Sequence, residues 1–110
     1  MSGKLAISQK EHVTWKILAL DGRMDALSSP DVDKEGMAVL DTDQGLALDL
    51  TSLVYISSAG LRVIMRFMKK AETDGKKIAS VGAAGTVLDM LEYSGISTLF
   101  SLYKTAEELP

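Results

Sequence analysis

Asp49-Leu50-Thr51-Ser52-Leu53-Val54-Tyr55-Ile56-Ser57-Ser58-Ala59-Gly60-Leu61-Arg62 decides how the chain is read, because the hydrophobic period changes inside it. Just upstream, Gly45-Leu46-Ala47-Leu48-Asp49-Leu50 is a nearly continuous apolar run, the pattern of a central parallel strand covered on both faces. Val54-Tyr55-Ile56 extends that element after a Thr51-Ser52 break. From Ser58 onward, Leu61, Ile64, Met65 and Met68 recur at helical spacing, while Arg62, Arg66, Lys69 and Lys70 fall mostly outside the stripe. A buried strand therefore feeds the strongest helix of the chain through two hydroxyls and two small residues.

Toward the N-terminus, Leu5-Ala6-Ile7 is a short apolar segment. Val13, Trp15, Ile17 and Ala19 alternate with their neighbours beyond a polar Gln9-Lys10-Glu11-His12 break, which predicts two paired strands joined by a tight turn. Asp21-Gly22-Arg23-Met24-Asp25 ends the second strand, and Ser28-Ser29-Pro30-Asp31 is a cap-then-proline helix start. The helix it opens, Val32 to Leu40, contains Gly36, which costs roughly 1 kcal/mol relative to alanine in a helix interior. Toward the C-terminus, Asp74-Gly75 stops the strong helix and Ile78-Ala79-Ser80-Val81 forms another strand. Val87, Leu88 and Leu91 give a second apolar stripe that closes at Ser94-Gly95. Leu99 to Tyr103 reads as a last short strand, and Ala106 to Leu109 as a terminal helical turn. Strand and helix alternate after the initial hairpin, so an α/β fold is expected: a mostly parallel sheet with right-handed crossovers and helices packed on it.

Composition narrows the function. The 110 residues suit one domain, 1–110, and 46% apolar with 25% charged residues suits an ordinary globular core. A net charge of −3 offers no general attraction to nucleic acid or to an anionic membrane. No cysteine is present, which removes disulfides, thiolate nucleophiles and cysteine-rich zinc sites and fits a reducing, cytoplasmic setting. No apolar run is long enough for a signal peptide or a membrane span.

Catalytic constellations are sparse. His12, the single histidine, stands beside a predicted turn, so a Ser/His/Asp triad would depend on it alone. The phosphate-cradling glycine patterns of nucleotide-binding folds are absent, and Gly82-Ala83-Ala84-Gly85-Thr86 reads as a connecting turn. Asp21, Asp25 and Asp49 lie near strand ends, but a hydrolase built on Asp25 and the serines lacks a base. No enzyme activity, cofactor or metal is expected.

The helix start is different. One serine is explained as an N-cap that accepts a hydrogen bond from a free backbone N–H, but two consecutive hydroxyls are not both needed for that. Ala59 and Gly60 leave the backbone and hydroxyl accessible to another protein. A phosphate placed here would gain from the helix dipole and the first-turn N–H groups, so it would act on binding and leave the fold standing.

Over essentially its whole length the chain resembles the STAS family, the domain shared by bacterial anti-sigma factor antagonists and the cytoplasmic tails of sulfate transporters. The resemblance rests on Asp21-Gly22-Arg23-Met24-Asp25, on Leu48-Asp49-Leu50-Thr51 with Tyr55-Ile56-Ser57-Ser58-Ala59-Gly60-Leu61, and on Tyr93-Ser94-Gly95-Ile96 with Leu99-Phe100. It implies a four- to five-stranded sheet backed by about four helices, with a phosphorylatable serine at Ser58. It further implies an anti-sigma factor that is also an ATP-binding serine kinase as partner, bound by the unphosphorylated chain, and a serine phosphatase that reverses the modification. Met24, Asp25, Ser57, Ser58, Ala59, Gly60, Leu61 and Arg62 would form the docking surface, although Leu61 equally fits the apolar stripe. Where many antagonists carry aspartate before the modified serine, this chain has Ser57, which stands as an alternative acceptor. A different use of the fold is a scaffold or ligand-sensing module that binds a nucleotide, small molecule or larger assembly without phosphorylation.

Overall fold

Residues 4–98 and 100–110 are described by a computed structural model. The first two strands, β1 (Leu5–His12) and β2 (Trp15–Met24), form an antiparallel hairpin that pairs from Leu5 opposite Gly22 to His12 opposite Trp15. The polar Gln9 to His12 segment, expected as the turn, is instead strand, and the turn is Val13-Thr14. β1 lies at the edge of the sheet, where its polar side chains find partners in solvent and across the surface. Gln9 Nε2 donates to Glu35 Oε1 at 2.8 Å, and Lys16 Nζ lies 3.2 Å from Glu11 Oε2. β2 ends at Met24, within the Asp21 to Asp25 segment expected to end it, and its register shifts between Gly22 and Arg23.

Helix α1 (Ser29–Leu40) has Pro30 in its first turn, as the sequence predicts. β3 (Gly45–Asp49) then pairs parallel to β2, and β4 (Leu53–Ile56) pairs parallel to β2 further along. Gly22 N–H donates to Ser52 O at 3.1 Å while the next N–H, on Arg23, donates to Lys4 O at 3.1 Å, so β4 lies on the edge of β2 opposite β1. That is the β3 edge. β4 thus continues the line of β3 after a break, as the apolar pattern implies. Helix α2 (Ser58–Asp74) ends on Gly75 in the left-handed conformation, β5 (Ile78–Val81) pairs with β3, and α3 (Gly85–Tyr93) leads through a 3-10 turn to β6 (Ser101–Tyr103). The strand order is β1-β2-β3-β5-β6, with β4 beside β2. Among the described residues this gives six strands and three α-helices, more strands and fewer helices than expected.

Alternation along β2 and β3 divides the interior in two. Leu18, Leu20, Leu46, Leu48 and Leu50 join Val32, Leu40, Ile64, Phe67 and Leu91 in the larger core beneath the helices. Trp15, Ile17 and Ala47 face the other way and pack with Ala79, Val81 and Leu109, so the C-terminal segment covers the far face. Trp15 Nε1 donates to Pro110 O at 2.9 Å, which closes that cover.

Candidate docking and modification site

The β4–α2 junction splits the two serines by role. Ser57 is the N-cap, with extended backbone (φ −94°, ψ 177°), and its hydroxyl accepts from Gly60 N–H at 3.5 Å. Ser57 N–H donates to Met24 O at 2.9 Å, which ties the start of α2 to the end of β2. Ser58 is the first helical residue, exposed, and its hydroxyl has no hydrogen-bond partner among the described residues. One hydroxyl is structural and the other is free.

Gly60 is buried, contrary to the expectation that it leaves the backbone open. A Cβ there would lie 2.7 Å from Ile56 Cγ1 and 3.0 Å from Met24 Cγ, so only glycine lets the first turn of α2 seat on β2 and β4. Met24 is fully buried and Leu61 is 9% exposed, both within the main core. Met24 and Gly60, expected as part of the docking surface, hold the site from beneath, and Leu61 takes the core place that its position in the apolar stripe allowed, because apolar side chains at this junction gain more from the core than from solvent. Ala59 is half-buried and Arg62 exposed, so Ser58, Ala59 and Arg62 form the visible helix start.

Asp25 organises the adjoining β2–α1 loop. Its Oδ1 accepts from Leu27 N–H at 3.0 Å and Ser28 N–H at 3.2 Å, and Ser28 Oγ donates to Arg23 O at 2.7 Å. This is an Asx turn, which fixes the loop without secondary structure. It holds Leu27 at 71% exposure, an apolar side chain offered to solvent that nothing in the sequence pattern singles out.

Between the helices, Ala26, Pro30, Asp33, Ala59, Arg62, Val63 and Arg66 line an open groove of about 340 Å³. Arg66 Nε and Nη2 reach Asp33 Oδ1 and Oδ2 at 3.1 and 3.5 Å, joining α2 to α1 along the groove. This pair is 33 residues apart, so no local spacing reveals it. The Arg23 guanidinium sits 4.2 Å from the Tyr55 ring centroid. Arg62 makes no ion pair among the described residues.

The other candidates serve turns. Asp49 Oδ1 accepts from Thr51 N–H at 3.0 Å and Thr51 Oγ1 at 2.6 Å, and Thr51 packs against Gly82 in the loop that the glycine pattern marks as a turn. Asp21 is exposed within β2, opposite Ala6 of β1, and His12 ends β1. Among the described residues no group of three or more His, Asp or Glu side chains is placed to hold a metal ion, and no helix is long and apolar enough to cross a membrane.

A mixed sheet carries its helices on one face, and at one end an exposed serine stands between an ordered loop and a helical groove. The STAS domain model matches residues 4–109, and the chain belongs to that family. It is 27% identical to the anti-sigma-B factor antagonist of Listeria monocytogenes over 108 residues, 96% of this chain and 94% of that protein. The fold matches the crystal structure of an anti-sigma factor antagonist from Mycobacterium paratuberculosis with TM-score 0.87 at 20% identity, covering 98% of this chain and 92% of that one. It also matches the Bacillus cell fate determinant SpoIIAA in its phosphorylated form, with TM-score 0.74 at 14% identity over 94% of this chain and 95% of that one. At these identities the likeness to the solved structures is one of fold.

Proposed function

We propose that this chain is an anti-sigma factor antagonist that works by partner switching and has no enzyme activity of its own. Unphosphorylated, it binds an anti-sigma factor that is also a serine kinase with an ATP-binding fold, in the cytoplasm and without nucleic acid or membrane. The kinase transfers the γ-phosphoryl group of ATP to Ser58: the bond from phosphorus to Ser58 Oγ forms, the bond to the β,γ-bridging oxygen breaks, and ADP leaves. The hydroxyl proton passes to a base on the kinase. A serine phosphatase returns the chain to its binding form by hydrolysis.

The observation that carries this reading is the free, exposed hydroxyl of Ser58 beside a Ser57 hydroxyl already engaged in the cap. The same geometry favours Ser58 over Ser57 as acceptor. Phosphate adds about −1.5 to −2 charges at neutral pH. Set against a desolvated partner surface, each roughly 1.4 kcal/mol of lost complementarity weakens binding tenfold. Asp25 holds the neighbouring loop in place, and Ser58, Ala59, Arg62 and Leu27 form the contact surface.

The test is a pull-down from the native cell lysate with wild type, Ser58→Ala and Ser58→Asp, read by mass spectrometry. A kinase-like ATP-binding protein retained by wild type and Ser58→Ala and lost with Ser58→Asp is the expected result. Identical partners on all three baits would instead assign the chain to the scaffold or ligand-sensing class.

A further inference from the structure

We propose that Arg62 is a built-in receptor for the phosphoryl group on Ser58, so that the modified helix start closes on itself. The inference rests on Ser58 being the modified residue, as proposed above. Ser58 and Arg62 are four residues apart on α2, which places them one above the other on the same helix face. Helical side chains lean toward the N-terminus, so the long Arg62 side chain can reach back over the turn that carries Ser58. Both residues are exposed, and neither has a partner among the described residues that would have to be given up.

The other arginines of this region are engaged elsewhere. Arg66 is held by Asp33 across the groove, and eight residues of helix, about 12 Å of rise, separate it from Ser58. Arg23 is stacked on Tyr55. Among the described residues, Arg62 is therefore the one arginine of the three that combines reach with freedom. An anionic residue N-terminal to a cationic one at this spacing is the favourable order along a helix, and guanidinium matches phosphate with two parallel N–H donors.

Capture has a consequence for docking. Unmodified, Arg62 presents its charge at the mouth of the α1–α2 groove, available to a carboxylate on the partner. Modified, that charge is neutralised from within the chain. Release then follows from two changes at once, a new anion on Ser58 and the withdrawal of the Arg62 cation.

The test places phosphoserine at position 58 during synthesis, independent of any kinase, in wild type, Arg62→Gln and Arg62→Lys, and follows the phosphate by 31P NMR against pH. The α2 dipole lowers the phosphate's second ionisation in all three, and Asp25, Asp33 and the Arg66 and Arg23 cations around it are the same in all three. The difference between variants therefore isolates Arg62. The midpoint should lie about half a pH unit lower in wild type than in Arg62→Gln, with Arg62→Lys between them, and the gap should shrink in 1 M salt. Equal midpoints in wild type and Arg62→Gln would overturn the proposal. A kinase that leaves Ser58 unmodified would count against the partner-switching reading and would leave this midpoint comparison standing.

Discussion

Ser57 and Ser58 are adjacent in sequence, and the structure asks different things of them. Ser57 accepts from Gly60 N–H at the first turn of α2, so Ser57→Ala should cost about 1 kcal/mol of stability, the usual loss of a serine N-cap. Ser58 has no such bond, and Ser58→Ala should change stability by less than about 0.5 kcal/mol while abolishing phosphate incorporation. Urea unfolding and a kinase assay on both variants check the pair; the reverse pattern would exchange the two roles. Val13 offers a second test at this scale. It is 74% exposed in the two-residue turn of the β1–β2 hairpin and adopts φ +57°, a conformation that a β-branched residue resists. Strain of this kind costs about 1–3 kcal/mol, more than the roughly 0.5–1 kcal/mol of chain entropy that glycine adds, so Val13→Gly should raise the unfolding midpoint.

Among elements, α1 shows why local propensity misleads. Gly36 makes α1 look weak in the sequence, yet a Cβ at that position would overlap the ring of Phe67. The glycine is where the two helices approach each other, and Phe67 fills the space it leaves in the core. Gly36→Ala should therefore destabilise by about 1–3 kcal/mol although alanine is the better helix former; a gain in thermal stability would show that the contact is unimportant. Sequence periodicity located α2, α3 and β3, because each carries its own apolar pattern. It misplaced the hairpin turn, because the polar residues of edge strand β1 resemble a loop until their cross-surface partners are known. At the β4–α2 junction, the apolar stripe already allowed Leu61 a place in the core, while the burial of Met24 and Gly60 depends on packing between β2 and α2 that no local pattern contains. The far end of α2 is tied to α1 by Lys70, which lies 3.0 Å from both Asp41 and Asp74. Hydrogen bonds to Asp41 and then Asp74 raise its ammonium pKa above the ordinary lysine value. A raised folded-state pKa means that this stabilisation is fully present below the unfolded lysine value and is lost as pH rises through the folded one. Melting curves of wild type and Lys70→Met should thus converge as pH rises past the raised folded-state value; a difference that persists there would assign the effect of Lys70 to packing.

For the molecule as a whole, the question is whether a charge added at Ser58 would move the fold. α2 is anchored along its length by Ile64, Phe67 and Ala71, all buried in the main core, and its first turn is fixed by Gly60 against Met24 and Ile56. A close-packed interior of this kind resists small displacements, and nothing in the first turn requires α2 to shift when a charge is added outside it. Negative charge at position 58 also stands at the favourable end of the helix dipole, worth about 0.3–1 kcal/mol in the direction of stability. The second core, beneath Trp15 and Leu109, lies on the opposite face of the sheet and shares no residue with the site. Ser58→Asp should therefore leave the melting temperature unchanged or raised by a few degrees, since about 1 kcal/mol corresponds to roughly 4–8 °C in a domain near this size. Backbone amide shifts should change at 57–62, in the Asp25 loop and along the α1–α2 groove, and should be silent at Trp15, Ala79 and Leu109. Shifts that spread through β5 and β6, or a melting temperature lowered by several degrees, would mean that the charge reorganises the fold, and release would then have to be explained by a change of shape.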